Sequence, residues 1–149
     1  MPGGTAIFFY LSIMPTLKSI RGRKAESYAC AYLLRQGCKL VARNYRYKGG
    51  ELDIVARDKN GKWLFVEVKS VWEESFGAPD VRVDKEKQRK VWQTALHFLH
   101  YHGGLDQISR FDVAAFDFRG TNELRYYEDA FAASQVVPNL RIKKDRNAY

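Results

Sequence analysis

A chain of 149 residues with 46% hydrophobic and 28% charged positions is long enough for one domain with a real core, and its composition excludes a disordered or fibrous chain. The formal charge of +8 points to a polyanionic partner, with plain solubility as the bland alternative. Two cysteines, Cys30 and Cys38, with no CxxC pair and no companion histidines, read as reduced cytosolic thiols rather than a disulfide scaffold or a zinc site.

The first apolar run, Ala6 to Ile13, is too short to span a bilayer, and it lacks the basic n-region and cleavage site of a signal peptide. Met14 follows directly. The run reads as an added strand or an exposed interaction segment. Arg23 to Gln36 has helical spacing, with Ala25, Ala29, Tyr32, Leu33 and Gln36 on one stripe and Gly37 as the stop. Glu26 lies beside that stripe, where a solvated first-turn glutamate is also at home. Lys39 to Tyr47 reads as a strand running into a basic, aromatic connection. Arg43, Arg46 and Lys48 interleaved with Tyr45 and Tyr47 suit phosphate contact and base stacking, and equally suit an edge strand guarded by charge. Gly49-Gly50 lets the chain turn.

The stretch Gly50 to Ser70 carries the chemistry. Glu51-Leu52-Asp53-Ile54-Val55 and Val66-Glu67-Val68-Lys69 alternate polar and apolar, as half-buried strands do. Asp58-Lys59-Asn60-Gly61 supplies a turn with Lys59-Asn60-Gly61 as a three-residue loop and glycine in its left-handed position. That register puts Asp53 opposite Glu67 and Glu51 opposite Lys69, with all four on one side. Two carboxylates and a lysine there read either as a cross-strand salt-bridge ladder or as a site for a hard cation such as Mg2+, with Asp53 and Glu67 close enough to share it.

Beyond Lys69 comes a loop containing Trp72, Phe76 and Gly77. Asp84 is placed to cap a helix from Lys85 to about Tyr101, whose apolar stripe is Val91, Trp92, Ala95, Phe98 and Leu99. Gln88 extends that stripe and Lys87 borders it; a polar residue on a buried face wants a partner. The three histidines, His97, His100 and His102, crowd the end of this helix without acidic or cysteine partners. Arg110 to Phe118 and Glu123 to Tyr127 are strands about a turn. Asp112, on the opposite face from Phe111 and Val113, reads as structural, pairing with Arg110 or a backbone donor. The chain ends in a basic run of Arg141, Lys143, Lys144 and Arg146.

The order of an acidic residue, a gap and then Glu-x-Lys is the core of the PD-(D/E)xK nucleases. The run Glu26, Asn44, Gly50-Glu51-Leu52-Asp53, Val66-Glu67-Val68-Lys69, Phe76-Gly77, Lys87-Gln88 and Arg110-Phe111-Asp112-Val113-Ala114 resembles the YraN (UPF0102) family of small bacterial proteins. The resemblance implies an α/β fold with a restriction-endonuclease-like core, a central mixed β-sheet flanked by helices. It divides the chain into an extension (1–21), a nuclease-like domain (22–132) and a basic tail (133–149), and because it starts only near Gly22 it implies an early start codon, with translation from Met14, as the alternative for the extension. It further implies a metal-dependent nuclease acting on DNA or RNA, with a non-catalytic nucleic-acid-binding module of the same fold as the alternative. Asp53 and Glu67 would ligate Mg2+ or Mn2+, with the backbone carbonyl of Val68 and, through water, Glu26. Lys69 would serve the attacking water or the phosphate, and Lys87 and Gln88 the scissile phosphate. The expected partner is nucleic acid and not a membrane, the expected location cytoplasmic, and a homodimer is compatible with the chain. A third reading, an interaction protein recruiting a partner through its N-terminal apolar segment, stays open.

Overall fold

The computed structural model describes residues 17–71, 83–105, 107–120 and 122–131. The N-terminal apolar run, the loop with Trp72, Phe76 and Gly77, and the basic tail lie outside them. Among the described residues the chain forms α1 (Leu17–Arg35), β1 (Lys39–Tyr47), β2 (Gly50–Arg57), β3 (Trp63–Val71), α2 (Lys85–His102), β4 (Ser109–Asp117) and β5 (Glu123–Tyr127). The strands make one sheet in chain order, β1-β2-β3-β4-β5. Only β3 and β4 run parallel, joined through α2, and the other three neighbours are antiparallel. The expected mixed sheet flanked by helices is therefore the fold.

Each helix takes one face of the sheet. Ala29, Cys30 and Leu33 of α1 close over Ile54, Ala56, Leu64, Val66 and Ala114. Val91, Trp92, Ala95, Phe98 and Leu99 of α2 close over Val55, Trp63, Phe65, Phe111 and Val113. The apolar stripe read for the second helix is buried throughout. That of the first is corrected at its end, because Gln36 falls past the last turn and is exposed. There the Cys38 and Gly37 amides donate to the Leu33 and Leu34 carbonyls, each 3.0 Å, with Gly37 at φ 82°, a left-handed close that glycine makes without strain.

The same helix begins six residues earlier than its spacing predicts. Gly22 sits inside it with open space around its Cα. A helical glycine costs about 1 kcal/mol, less than tertiary packing supplies. At α2 the start is as expected, with the Asp84 carboxylate accepting from the Lys87 amide at 2.9 Å.

Candidate active site

The β2–β3 hairpin closes on the loop its residues demand. Gly61 takes φ 84°, its amide donates to Asp58, and the Asp58 carboxylate accepts from the Asn60 and Lys62 amides at 2.8 and 2.9 Å. From there the backbone ladder runs Arg57–Trp63, Ala56–Leu64, Val55–Phe65 and Ile54–Val66, and ends. Asp53 is the next residue. Its carboxylate, not its backbone, bridges to β3, where Oδ2 accepts from the Val68 amide at 2.7 Å.

The strands therefore part at Asp53. Leu52 and Ile54, two apart in sequence, fall on opposite faces of the sheet, Leu52 under α2 and Ile54 under α1. This corrects the expectation that Glu51 faces Lys69. Once the strands part, Glu51 pairs across to Arg46 of β1 at 3.1 Å, while Lys69 pairs along its backbone with Ala115 of β4.

At the parting, Asp53 and Glu67 are brought together as expected. Burial first, and the adjacent Glu67 carboxyl second, push the Asp53 carboxyl up to about 8, against the pull of the Val68 amide. Glu26 adds a weaker repulsion. Glu67 is buried, 7% exposed, and Lys87 of α2 reaches it from the half-exposed side with its ammonium on Oε1. Burial opposes the Lys87 charge, but contact with Glu67 more than offsets it and the pKa stands above its ordinary value. Lys69 shares the parity of Glu67 along β3, so both leave the strand on the α2 side.

The remaining predicted residues are spoken for by neighbours. Glu26 accepts from Arg43 at 3.4 Å and from Asn44 at 3.3 Å. The Gln88 amide donates to the Val83 carbonyl at 2.6 Å, which gives it the partner it needs at the start of α2. In an extended strand the N–H and C=O of one residue point to the same side. Because the Val68 amide faces Asp53, its carbonyl opens on that side too. Oxygen donors from Asp53, Glu67 and Val68 suit a hard divalent cation, and the repulsion between the two acids is relieved by one. Among the described residues no group of three or more histidine, cysteine or acidic side chains is placed to hold a metal ion, and Glu26 is not joined to the acid pair in such a group. The fit is to a site of two carboxylates and a carbonyl.

Tyr45 and Tyr47 lie on α2. The Tyr45 hydroxyl is 2.7 Å from His97 Nδ1, and the Tyr47 ring stacks on the His97 ring at 3.7 Å and 14°. Lys48 is exposed in the tight turn after β1, 5.4 Å from the Tyr47 ring centroid. Two residues here were given no role by the sequence reading. Asn44, left-handed at φ 52°, holds Glu26, and His97, set aside with the other histidines, holds both tyrosines. The signal for His97 was its spacing on the face that Lys90 and Thr94 also occupy.

The family model described as "Uncharacterised protein family UPF0102" matches residues 25–116, which include the acid pair, Glu26 and Lys87. The chain belongs to UPF0102. UPF0102 relatives include a protein of Geobacter metallireducens, 45% identical over 66% of this chain and 80% of its own length. Another, from Desulfosudis oleivorans, is 40% identical over 76% and 90%, and one from Cupriavidus necator is 40% identical over 80% and 97%. A solved structure, SfsA of Pyrococcus furiosus in complex with Ca2+, is 18% identical to this UPF0102 chain. It covers 73% of this chain and 62% of its own, with a TM-score of 0.35.

Proposed function

We propose that this UPF0102 protein is a metal-dependent nuclease that hydrolyses phosphodiester bonds in DNA or RNA. The observation that carries the proposal is the Asp53–Glu67 pair, two carboxyls pressed together where β2 leaves β3, with Asp53 pushed up to about 8. Packing alone gives no reason for a second acid at this point. A role with a cation does.

Asp53, Glu67 and the Val68 carbonyl would hold Mg2+ or Mn2+, with Glu26 reaching the shell through water. A cation so held polarises the phosphoryl oxygen and acidifies a bound water. Lys69, beside Glu67 on β3, would orient the attacking water or neutralise charge on the phosphate. Lys87 would turn from Glu67 to the scissile phosphate, and Gln88, holding Val83, would fix the start of α2 from which Lys87 reaches. No described helix is long and apolar enough to cross a membrane. The protein would act in the cytoplasm on nucleic acid, as a monomer or homodimer.

A second reading is favoured by the ammonium on Glu67 and the two donors on Glu26. Acids already neutralised in this way suit a module that grips nucleic acid without cutting. Cleavage of duplex, branched and single-stranded substrates with Mg2+, Mn2+ or EDTA decides between them. Asp53→Ala and Glu67→Ala should abolish cleavage and leave metal-free binding equal or tighter, while Lys69→Ala should keep metal binding and lose the chemical step. A wild-type protein that cuts none of these substrates is the binding module. Cleavage that survives Asp53→Ala would overturn the assignment of the site.

A further inference from the structure

One stripe of α2 joins the acid pair to a distant group of rings. Lys87, Lys90, Thr94, His97 and Tyr101 follow at steps of three and four residues and so share a face of the helix. Lys87 touches Glu67 at one end. In the middle the β1–β2 turn is seated on the helix, since a Cβ built on Gly50 would lie 2.7 Å from the Lys90 carbonyl oxygen. That contact buries Thr94 beneath the turn, on which Lys48 is exposed. At the far end Tyr47 stacks on His97, and His97 lies 5.0 Å from Tyr101. Tyr101 is 69% exposed, the most exposed of the large apolar side chains among the described residues.

From this surface we propose that a single-stranded stretch of the nucleic-acid substrate follows α2 across the β1–β2 turn, from the acid pair to a stacking platform formed by Tyr47, His97 and Tyr101, with Lys90 and Lys48 on its phosphates. The proposal rests on the nuclease reading and names the form of its substrate. Charge complementarity selects the occupant, because Lys87, Lys90 and Lys48 mark the half of the route nearer the acid pair, with Lys90 3.6 Å from Glu86, and the chain as a whole carries +8. The rings select the strand form. Bases in a duplex are stacked on one another and offer no face to a side chain, whereas an unpaired base does. Ten helical residues from Lys87 to His97 span about 15 Å, or about four nucleotides at the 3.4 Å rise of a stacked strand.

The test is fluorescence anisotropy in EDTA, with labelled single-stranded oligonucleotides of graded length and a duplex of the same sequence. Tyr101→Ala should weaken single-strand binding at least five-fold, leave duplex binding unchanged, and be rescued by Tyr101→Trp. Lys90→Ala should reduce the salt slope for the single strand by about 0.7, the share of one phosphate. Single-strand affinity unchanged in Tyr101→Ala, an equal loss on duplex and single strand, or salt-independent binding would each overturn the track; the last would make the surface a protein-docking face. Because cleavage is not read, the expected pattern in a protein that cuts nothing would support the track while removing the catalytic reading.

Discussion

Asp53 holds its proton far above the ordinary carboxylate range, and the consequence for stability has a definite sign. Between that range and about 8 the folded chain keeps a proton that the unfolded chain has released. Stability of the metal-free protein should therefore fall as pH rises through this window and level off above it. Asp53→Asn keeps an acceptor for the Val68 amide and removes the repulsion. It should flatten the profile and raise stability at pH 8 by an amount on the order of a few kcal/mol, read as a higher melting temperature. A profile as steep as that of the wild type would show that another group titrates. Lys87→Ala should act in two directions. Without metal it strips the buried Glu67 of its cation and should cost about 1–3 kcal/mol. In calorimetric titration with Mn2+ it should bind several-fold more tightly, since no ammonium has to be displaced. Unaltered Mn2+ affinity would mean that Lys87 and the metal do not compete.

At the scale of elements, the hairpin loop was legible because each of its residues has one conformational use. Asp58 binds the following amides and Gly61 supplies the left-handed close. Its register follows, and with it the meeting of Asp53 and Glu67. The parting of β2 from β3 was not legible. Leu52 and Ile54 keep the alternation of an unbroken strand, and only the Val68 amide on the Asp53 side chain reveals the break. Gly50 shows the same limit. It reads as half of a turn, yet the turn is Lys48-Gly49, with φ of 42° and 79°, and Gly50 lies inside β2 against α2. Gly50→Ala should therefore destabilise the protein by about 2–3 kcal/mol through a forced shift of α2, and a melting temperature within a degree of wild type would refute that contact. Asp112 was legible in kind but not in extent. Fully buried, it takes both Arg110 contacts, at 2.8 and 2.9 Å, the Tyr126 hydroxyl at 2.6 Å and the Asp129 amide at 2.9 Å, tying β4 to β5 and to the turn beyond. Burial and then the Asp112 charge hold the Tyr126 hydroxyl protonated well above its ordinary range. Asp112→Ala leaves these donors without an acceptor and should cost about 3–5 kcal/mol, read as a lowered denaturation midpoint.

Across the whole molecule, three of the four strand pairings join neighbours in the chain through short turns, and one does not. β3 meets β4 only after the chain has passed through α2. Loop closure of that length is slow compared with a hairpin. The β1–β2–β3 meander can therefore assemble while β4 is still undocked, and Asp53, Glu67 and Lys69 all belong to it. The two acids would meet in a partly formed chain, before Lys87 and α2 arrive to shield them. Their repulsion is then an obstacle on the route to the native state as well as a feature of its end. In stopped-flow refolding, the wild-type protein should fold more slowly as pH is raised towards 8, with its unfolding rate changed less, and Asp53→Asn should lose that dependence. A pH effect confined to the unfolding limb would place the meeting of the acids after the barrier.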